Sequence, residues 1–182
     1  MSSHSDQEKD LRQQLAAAYR LFPQFGLDEL TFTHASVRLP GPERDILLNP
    51  YGLLFDEINA SSFIKIDLNG NLLEDNGQEL SPSAFPVHSA VHSGREDAKA
   101  VIHLHTVAGS AVAAQKDGLL MLNQISMSFF NRIGYHYYRE ITYSKAERDA
   151  FIADLGHNDV MIMRNHGLIT VGKTIGQAFV RM

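Results

Sequence analysis

The chain contains no cysteine, which excludes disulfides, thiolate nucleophiles and Cys-ligated zinc at the outset. It has no tryptophan either. No apolar run approaches the roughly 20 residues that cross a bilayer, so no membrane partner is expected. Neither sign of charge is in large excess, since 16 basic against 21 acidic side chains leave −5. The basic residues are scattered rather than striped, which leaves nucleic acid without a footprint, and the balance is wrong for a disordered tail. The N-terminus is polar and has no apolar h-region, so a secretory signal is not expected and a cytoplasmic setting is. What the chain has in quantity is histidine, nine in 182 residues. With 44% hydrophobic content, this length suits one domain with a sizeable core and is short for two.

Leu11, Leu15, Tyr19 and Phe22 recur at helical spacing ahead of Pro23, predicting a helix over 7–22. A flexible segment is expected over 1–10, followed by a single domain over 11–182. Ser36 to Leu39 and Asp45 to Leu48 read as strands around the turn Pro40-Gly41. Ile64, Ile66 and Leu68 alternate with Lys65 and Asp67 before the turn Asn69-Gly70. A helix follows Pro86 and ends near Gly94. Lys99 to His105 reads as a buried strand, and Val107 to Lys116 as a helix. Leu119 to Tyr143, with aromatics clustered at Tyr135, Tyr137 and Tyr138, shows no clear period. Ser144 with Glu147 forms a capping box that opens a helix, which Gly156 closes. Val160 to Met163 and Leu168 to Val171 read as strands around the turn Asn165-His166-Gly167, and a last helix begins at Thr174. Strands interleave with helices and several are joined by tight turns. That pattern predicts an α/β fold with a mixed, largely antiparallel sheet and helices on its faces.

The strongest constellation is Val101-Ile102-His103-Leu104-His105. Strand side chains alternate, so His103 and His105 project from one face while Ile102 and Leu104 occupy the other. Two imidazoles so spaced can meet one metal ion at roughly 2.0–2.1 Å. His166 is the candidate for a third ligand, with Gly167 allowing a sharp turn and Asn165 placed to orient the ring. Three histidines plus an open position describe a catalytic rather than a structural zinc site. The bland alternative is a pair of hydrogen-bonded strand histidines. His88 and His92 compete for the metal, at i and i+4 on the helix after Pro86, but no glutamate follows the first histidine as zincin chemistry requires. Their bland reading is one histidine against the core and one on the surface. His4, His34, His136 and His157 have no partner at ligand spacing. Gly167 to Thr174 satisfies the phosphate-loop pattern G-x-x-x-x-G-K-[ST], yet Leu168 to Val171 read as a strand whose N–H groups are committed to a ladder. No Gly-x-Ser-x-Gly elbow is present.

Taken together, His103-Leu104-His105, the Ala-rich helix after it, and Arg164-Asn165-His166-Gly167-Leu168 with Gly172 and Ala178-Phe179 resemble the class II aldolase/adducin family. The likeness runs from about Leu11 to Met182. Asn49-Pro50-Tyr51-Gly52-Leu53-Leu54 and Val87-His88-Ser89-Ala90-Val91-His92 are most similar to its adducin-head branch. The resemblance implies a three-layer α/β/α fold, a homotetramer, and a zinc ion held by three histidines, which fall on His103, His105 and His166. In the family's enzymes that ion polarises a carbonyl and stabilises an enediolate during aldol cleavage of a sugar phosphate. The glutamate those enzymes place four residues before His88 is here Ala84. Their phosphate-pocket positions fall on His34, Tyr51-Gly52 and Pro82-Ser83, so only Gly52 and Ser83 are retained for substrate binding. A tyrosine proton donor aligns near Gln124. The family's C-terminal region is not found beyond Met182.

Two functions follow as expectations. One is a zinc-dependent carbon–carbon lyase acting on a small hydroxy-carbonyl or sugar-phosphate-like substrate, with His88 and His92 as the titratable candidates for acid/base work. The other is a non-catalytic adducin-like scaffold that keeps the fold. Iron or another divalent metal also suits nitrogen ligands, and iron on the same histidines would support oxygenase chemistry instead.

Overall fold

Strand alternation decides which side of the central sheet each side chain serves. The computed structural model describes residues 5–137 and 144–182. Within them the chain runs α1 (Asp6–Gln24), β1 (His34–Arg38), β2 (Ile46–Leu48), β3 (Ile64–Ile66), α2 (Ala84–Gly94), β4 (Ala100–Leu104) and α3 (Val107–Ala113). It continues through α4 (Gln124–Met127), β5 (Ile133–Tyr137), α5 (Lys145–Leu155), β6 (Val160–Arg164), β7 (Gly167–Gly172) and α6 (Ile175–Arg181). The seven strands form one sheet in the order β3-β2-β1-β4-β7-β6-β5. Every neighbouring pair is antiparallel except β5 with β6. Helices cover both faces, as the expected α/β fold requires.

On one face Ala35 and Val37 of β1 and Ala100, Ile102 and Leu104 of β4 pack against Leu15, Tyr19 and Phe22 of α1 and Ile175 and Ala178 of α6. On the other, Val101 of β4 and Ile169 and Val171 of β7 meet Val87 and Val91 of α2 and Phe151 and Leu155 of α5. The residues between these apolar positions on β1 and β4, namely His34, Ser36, Arg38 and His103, therefore face the α2 side. Register then places them together, because His34 lies opposite His103 and Ser36 opposite Val101.

Most expected elements form, with differences that have physical causes. Residues 6–10, expected within a flexible segment, are the first turns of α1. Ser5 caps them by accepting from the Glu8 N–H at 3.1 Å, and Glu8 and Arg12 are buried against β3. Residues 1–4 lie outside the described residues. Pro23 sits inside the last turn of α1 rather than ending it, and the turn closes past it through the Phe25 N–H, which donates to the Leu21 and Phe22 carbonyls. α3 is shorter than expected, ending at Ala113. The segment without a clear period holds α4 and β5. β5 was illegible because its inward positions are Gly134 and His136 rather than apolar side chains. A Cβ on Gly134 would lie 2.5 Å from the Asp154 carbonyl of α5, and buried His136 is held between Asp154 and Glu147. Tyr138 of the aromatic cluster lies outside the described residues. The phosphate-loop pattern is settled against a loop, since Leu168, Ile169 and Thr170 pair with both β4 and β6.

One buried ion cluster ties α1 to the sheet. Glu8 accepts from Arg12 Nε at 2.9 Å and from Lys65 Nζ at 3.0 Å, and Arg12 also reaches Glu74 at 2.9 Å and the Phe63 carbonyl at 3.0 Å. Burial works to raise the Glu8 carboxyl, but the hydrogen bonds and charges of Lys65 and Arg12 outweigh it and hold the group below its ordinary 4.5. A carboxyl lowered on folding contributes stability that is complete above its unfolded value and disappears as pH falls through the folded one. Glu8→Gln is expected to cost about 2–3 kcal/mol at neutral pH. Urea midpoints of wild type and variant should converge as the pH drops below 4.5.

Candidate metal centre and its cavity

β4 ends at Leu104, so His105 stands where the chain leaves the sheet, just before Thr106 caps α3 by accepting from the Gly109 N–H. The β6–β7 turn arrives beside it because Leu104 pairs with Leu168. Asn165 takes a left-handed φ of 57° in that turn, a conformation asparagine tolerates better than most residues. Gly167 must be glycine for a different reason. A Cβ there would lie 2.7 Å from both the His105 ring and the Leu104 carbonyl.

This brings His103, His105 and His166 together, as the sequence expects. One ring nitrogen from each lies within 4.8 Å of the others, and the three ring centroids are 4.7–4.9 Å apart. The hydrogen bonds on the far side of two rings decide what faces inward. His103 Nδ1 lies 2.9 Å from the Leu168 carbonyl, which can only accept, so Nδ1 carries the proton and Nε2 a lone pair. His105 Nδ1 donates to the Glu29 carboxylate at 2.7 Å, and its Nε2 faces His103 Nε2 at 3.0 Å. Two lone pairs at that distance repel until a proton or a metal ion sits between them. Ligand nitrogens on a tetrahedral zinc stand about 3.3 Å apart, given bonds of roughly 2.0–2.1 Å. The donor set fits a divalent ion.

Burial, followed by the neighbouring imidazoles, pushes His103 well below its ordinary value. Burial and then His105 and His136 lower His166 to about 4. Both shifts keep the rings neutral at physiological pH, the state in which imidazole binds metal.

The triad borders a cavity of about 330 Å³ whose wall also includes His34, Asn49, Tyr51 and Ser83. Ser83 lies on this wall, with its hydroxyl 3.2 Å from that of Ser81. Gly52, in a turn with φ 84°, adjoins the wall through Tyr51. Asn165 is exposed, and its N–H donates to the Ala113 carbonyl at 3.1 Å. Neither His88 nor His92 lines the cavity. The expectation of one core and one surface histidine is corrected, because both are fully buried. α2 turns the two rings towards Ser36 of β1, whose hydroxyl lies 2.5 Å from His88 Nδ1 and 2.7 Å from His92 Nε2. From these positions they do not touch a molecule in the cavity. Ala84 is buried among Ile46, Leu48, Ile64 and Ile66, and Gln124 opens α4.

Glu29 and Ser36 had no individual signal in the sequence, and His34 was marked only by the family likeness. Glu29 lies in an irregular stretch 76 positions from His105. Ser36 and His34 share a strand face with each other, but nothing local announces that α2 will pack its histidines against them.

The sequence profile of the class II aldolase and adducin N-terminal domain matches residues 13–182. The "Putative aldolase class 2 protein" of Caulobacter vibrioides is 45% identical over 98% of this chain and 69% of its own length. Alpha-adducin of Rattus norvegicus is 38% identical over 94% of this chain, which corresponds to 24% of the adducin. Among solved structures, an aldolase II superfamily protein from Pseudomonas syringae superposes with a TM-score of 0.95 at 45% identity, covering 98% of this chain and 72% of that one. L-fuculose 1-phosphate aldolase from Glaciozyma antarctica gives 0.83 at 26% identity, again covering 98% and 72%. The chain belongs to the class II aldolase and adducin N-terminal domain family.

Proposed function

We propose that this protein is a divalent-metal-dependent carbon–carbon lyase acting on a small hydroxy-carbonyl or sugar-phosphate-like compound. The observation that carries this reading is the convergence of His103 Nε2 and His105 Nε2, 3.0 Å apart and beside His166. Those three residues would hold the ion, with zinc as the first choice and iron as the alternative that nitrogen donors equally suit. When bound, such an ion supplies Lewis-acid polarisation of a carbonyl oxygen. Glu29 orients His105, and the Leu168 carbonyl orients His103. Ser83 offers a hydroxyl to substrate oxygens, and the turn at Gly52 sets the wall beside it. His88 and His92 act from behind the wall as positioning residues. Apolar side chains left exposed on Leu122, Ile125 and Phe130 support the homotetramer that the family likeness suggests, and the absence of cysteine is in keeping with a cytoplasmic setting.

A second reading is a binding or scaffold domain. It is favoured by the alpha-adducin likeness and by Ala84, whose methyl can neither ligate a metal nor move a proton.

Elemental analysis of the purified protein is expected to find about one zinc per chain, with near-complete loss in His103→Ala. Metal-loaded wild type should then cleave at least one member of a hydroxy-aldehyde and sugar-phosphate panel. Loading without any turnover would favour the scaffold, and iron with oxygen consumption would favour an oxygenase. Glu29→Ala should weaken metal affinity about 10–100-fold, the usual effect of losing a group that orients a ligand histidine, as read by chelator competition.

A further inference from the structure

Behind the cavity wall four buried polar side chains stand in one hydrogen-bonded line. His92 Nδ1 is 3.0 Å from the Ala98 carbonyl, and His92 Nε2 is 2.7 Å from Ser36 Oγ. Ser36 Oγ is 2.5 Å from His88 Nδ1, and His88 Nε2 is 2.8 Å from His34 Nδ1. His34 then lines the cavity, its ring centroid 5.0 Å from that of His103.

The carbonyl sets the direction of every bond in this line. It can only accept, so His92 Nδ1 carries the proton and His92 Nε2 a lone pair. Ser36 has one hydroxyl proton and gives it to His92. Its oxygen must therefore accept from His88 Nδ1–H, which leaves His88 Nε2 to accept from His34 Nδ1–H. The remaining nitrogen of His34, Nε2, ends the line as a lone pair. Running the line backwards would need protons on both nitrogens of His92. That cation would be fully buried beside Arg38, whose guanidinium donates to the His92 carbonyl, with Arg44 donating to the same oxygen at 2.8 Å. Burial first, then the charge of Arg38, hold His92 at about 3, so the reversed line does not form at neutral pH.

The rest of the wall agrees with an acceptor at this position. Among the described residues lining the cavity there is no lysine and no arginine, the side chains that usually recognise a phosphate. An unprotonated phosphate oxygen would also meet the His34 lone pair with lone pairs of its own. An uncharged hydroxyl, with a proton to donate, matches it.

We propose that Ser36, His88 and His92 fix His34 as a hydrogen-bond acceptor towards the cavity, and that the site takes a substrate hydroxyl there rather than a phosphate. The substrate half of this inference rests on the lyase reading and narrows it to an unphosphorylated hydroxy-carbonyl compound. The tautomer half stands without it.

The test is long-range ¹H–¹⁵N NMR of histidine-labelled protein, with His34 assigned by its loss in His34→Gln. Metal-free wild type at pH 7 is expected to show His34 protonated at Nδ1 alone. Ser36→Ala should convert His34 to a mixture of tautomers, and Ser36→Thr should restore the wild-type pattern. With zinc loaded, dihydroxyacetone should shift the His34 Nε2 resonance at a concentration at least about tenfold below that at which inorganic phosphate does. A proton on Nε2 in wild type, an unchanged His34 in Ser36→Ala, or tighter binding of phosphate would overturn the proposal. Because the tautomer is read without metal or turnover, an inactive scaffold would still show it. Failure of the lyase reading is thereby kept apart from failure of this one.

Discussion

A backbone carbonyl can accept a hydrogen bond but never donate one, and two such carbonyls govern this site. Leu168 fixes the tautomer of His103, and Ala98 fixes that of His92. Imidazole is ambiguous by itself, since either nitrogen can carry the proton. Once one nitrogen is committed to a carbonyl, the other must present a lone pair. The first commitment turns the Nε2 lone pair of His103 towards His105 and His166. The second is passed along Ser36 and His88 to His34. Both carbonyls hold their positions through the sheet and its flanking turns, so the tautomers of His103 and His92 follow from backbone geometry, whereas His105 takes its direction from the Glu29 carboxylate.

That geometry depends on alternation. β1 and β4 each give one set of side chains to α1 and α6 and the other to α2. The apolar set supplies the driving force, since each buried leucine- or isoleucine-sized side chain contributes about 1.5–3 kcal/mol. The polar set occupies the opposite positions of the same two strands. A slip of one residue in the β1–β4 register would turn His34 and Ser36 into the apolar layer and Ala35 and Val37 against α2. The hydrophobic core thus sets the alignment of the histidines, although of the core residues named for the two faces only Val87 reaches the cavity wall.

How far this could be read from sequence follows from the range of each interaction. The His103–His105 pair was legible because strand alternation operates over two residues. His166 was legible because a turn with glycine beside it is a local signal. The helix that begins after Ser144 was legible through its cap, where Ser144 does accept from the Glu147 N–H. β5 was not, because its inward positions serve a helix backbone and hydrogen bonds from His136 to two acidic side chains instead of an apolar layer. The line from His92 to His34 was also hidden. It joins a strand to a helix 52–56 positions away, and a single sequence carries no record of which helix covers which strand face. Glu29 was hidden in the same way, in a stretch without regular structure.

The loss at Ala84 is clearer in this setting. Ala84 is packed among Ile46, Leu48, Ile64 and Ile66, with Phe85 beside it against the turn at Gly70. A glutamate in the same backbone position would meet those apolar side chains unless it reached past them. Ala84 is therefore part of the apolar packing at the base of α2. Among the described residues that line the cavity, no carboxylate remains, just as no lysine or arginine does. The polar side chains on that wall are imidazoles, hydroxyls and the Asn49 amide. On the proposed reading an ion between His103, His105 and His166 would add a full charge to that neutral wall, whose hydroxyls could add hydrogen bonds to developing charge.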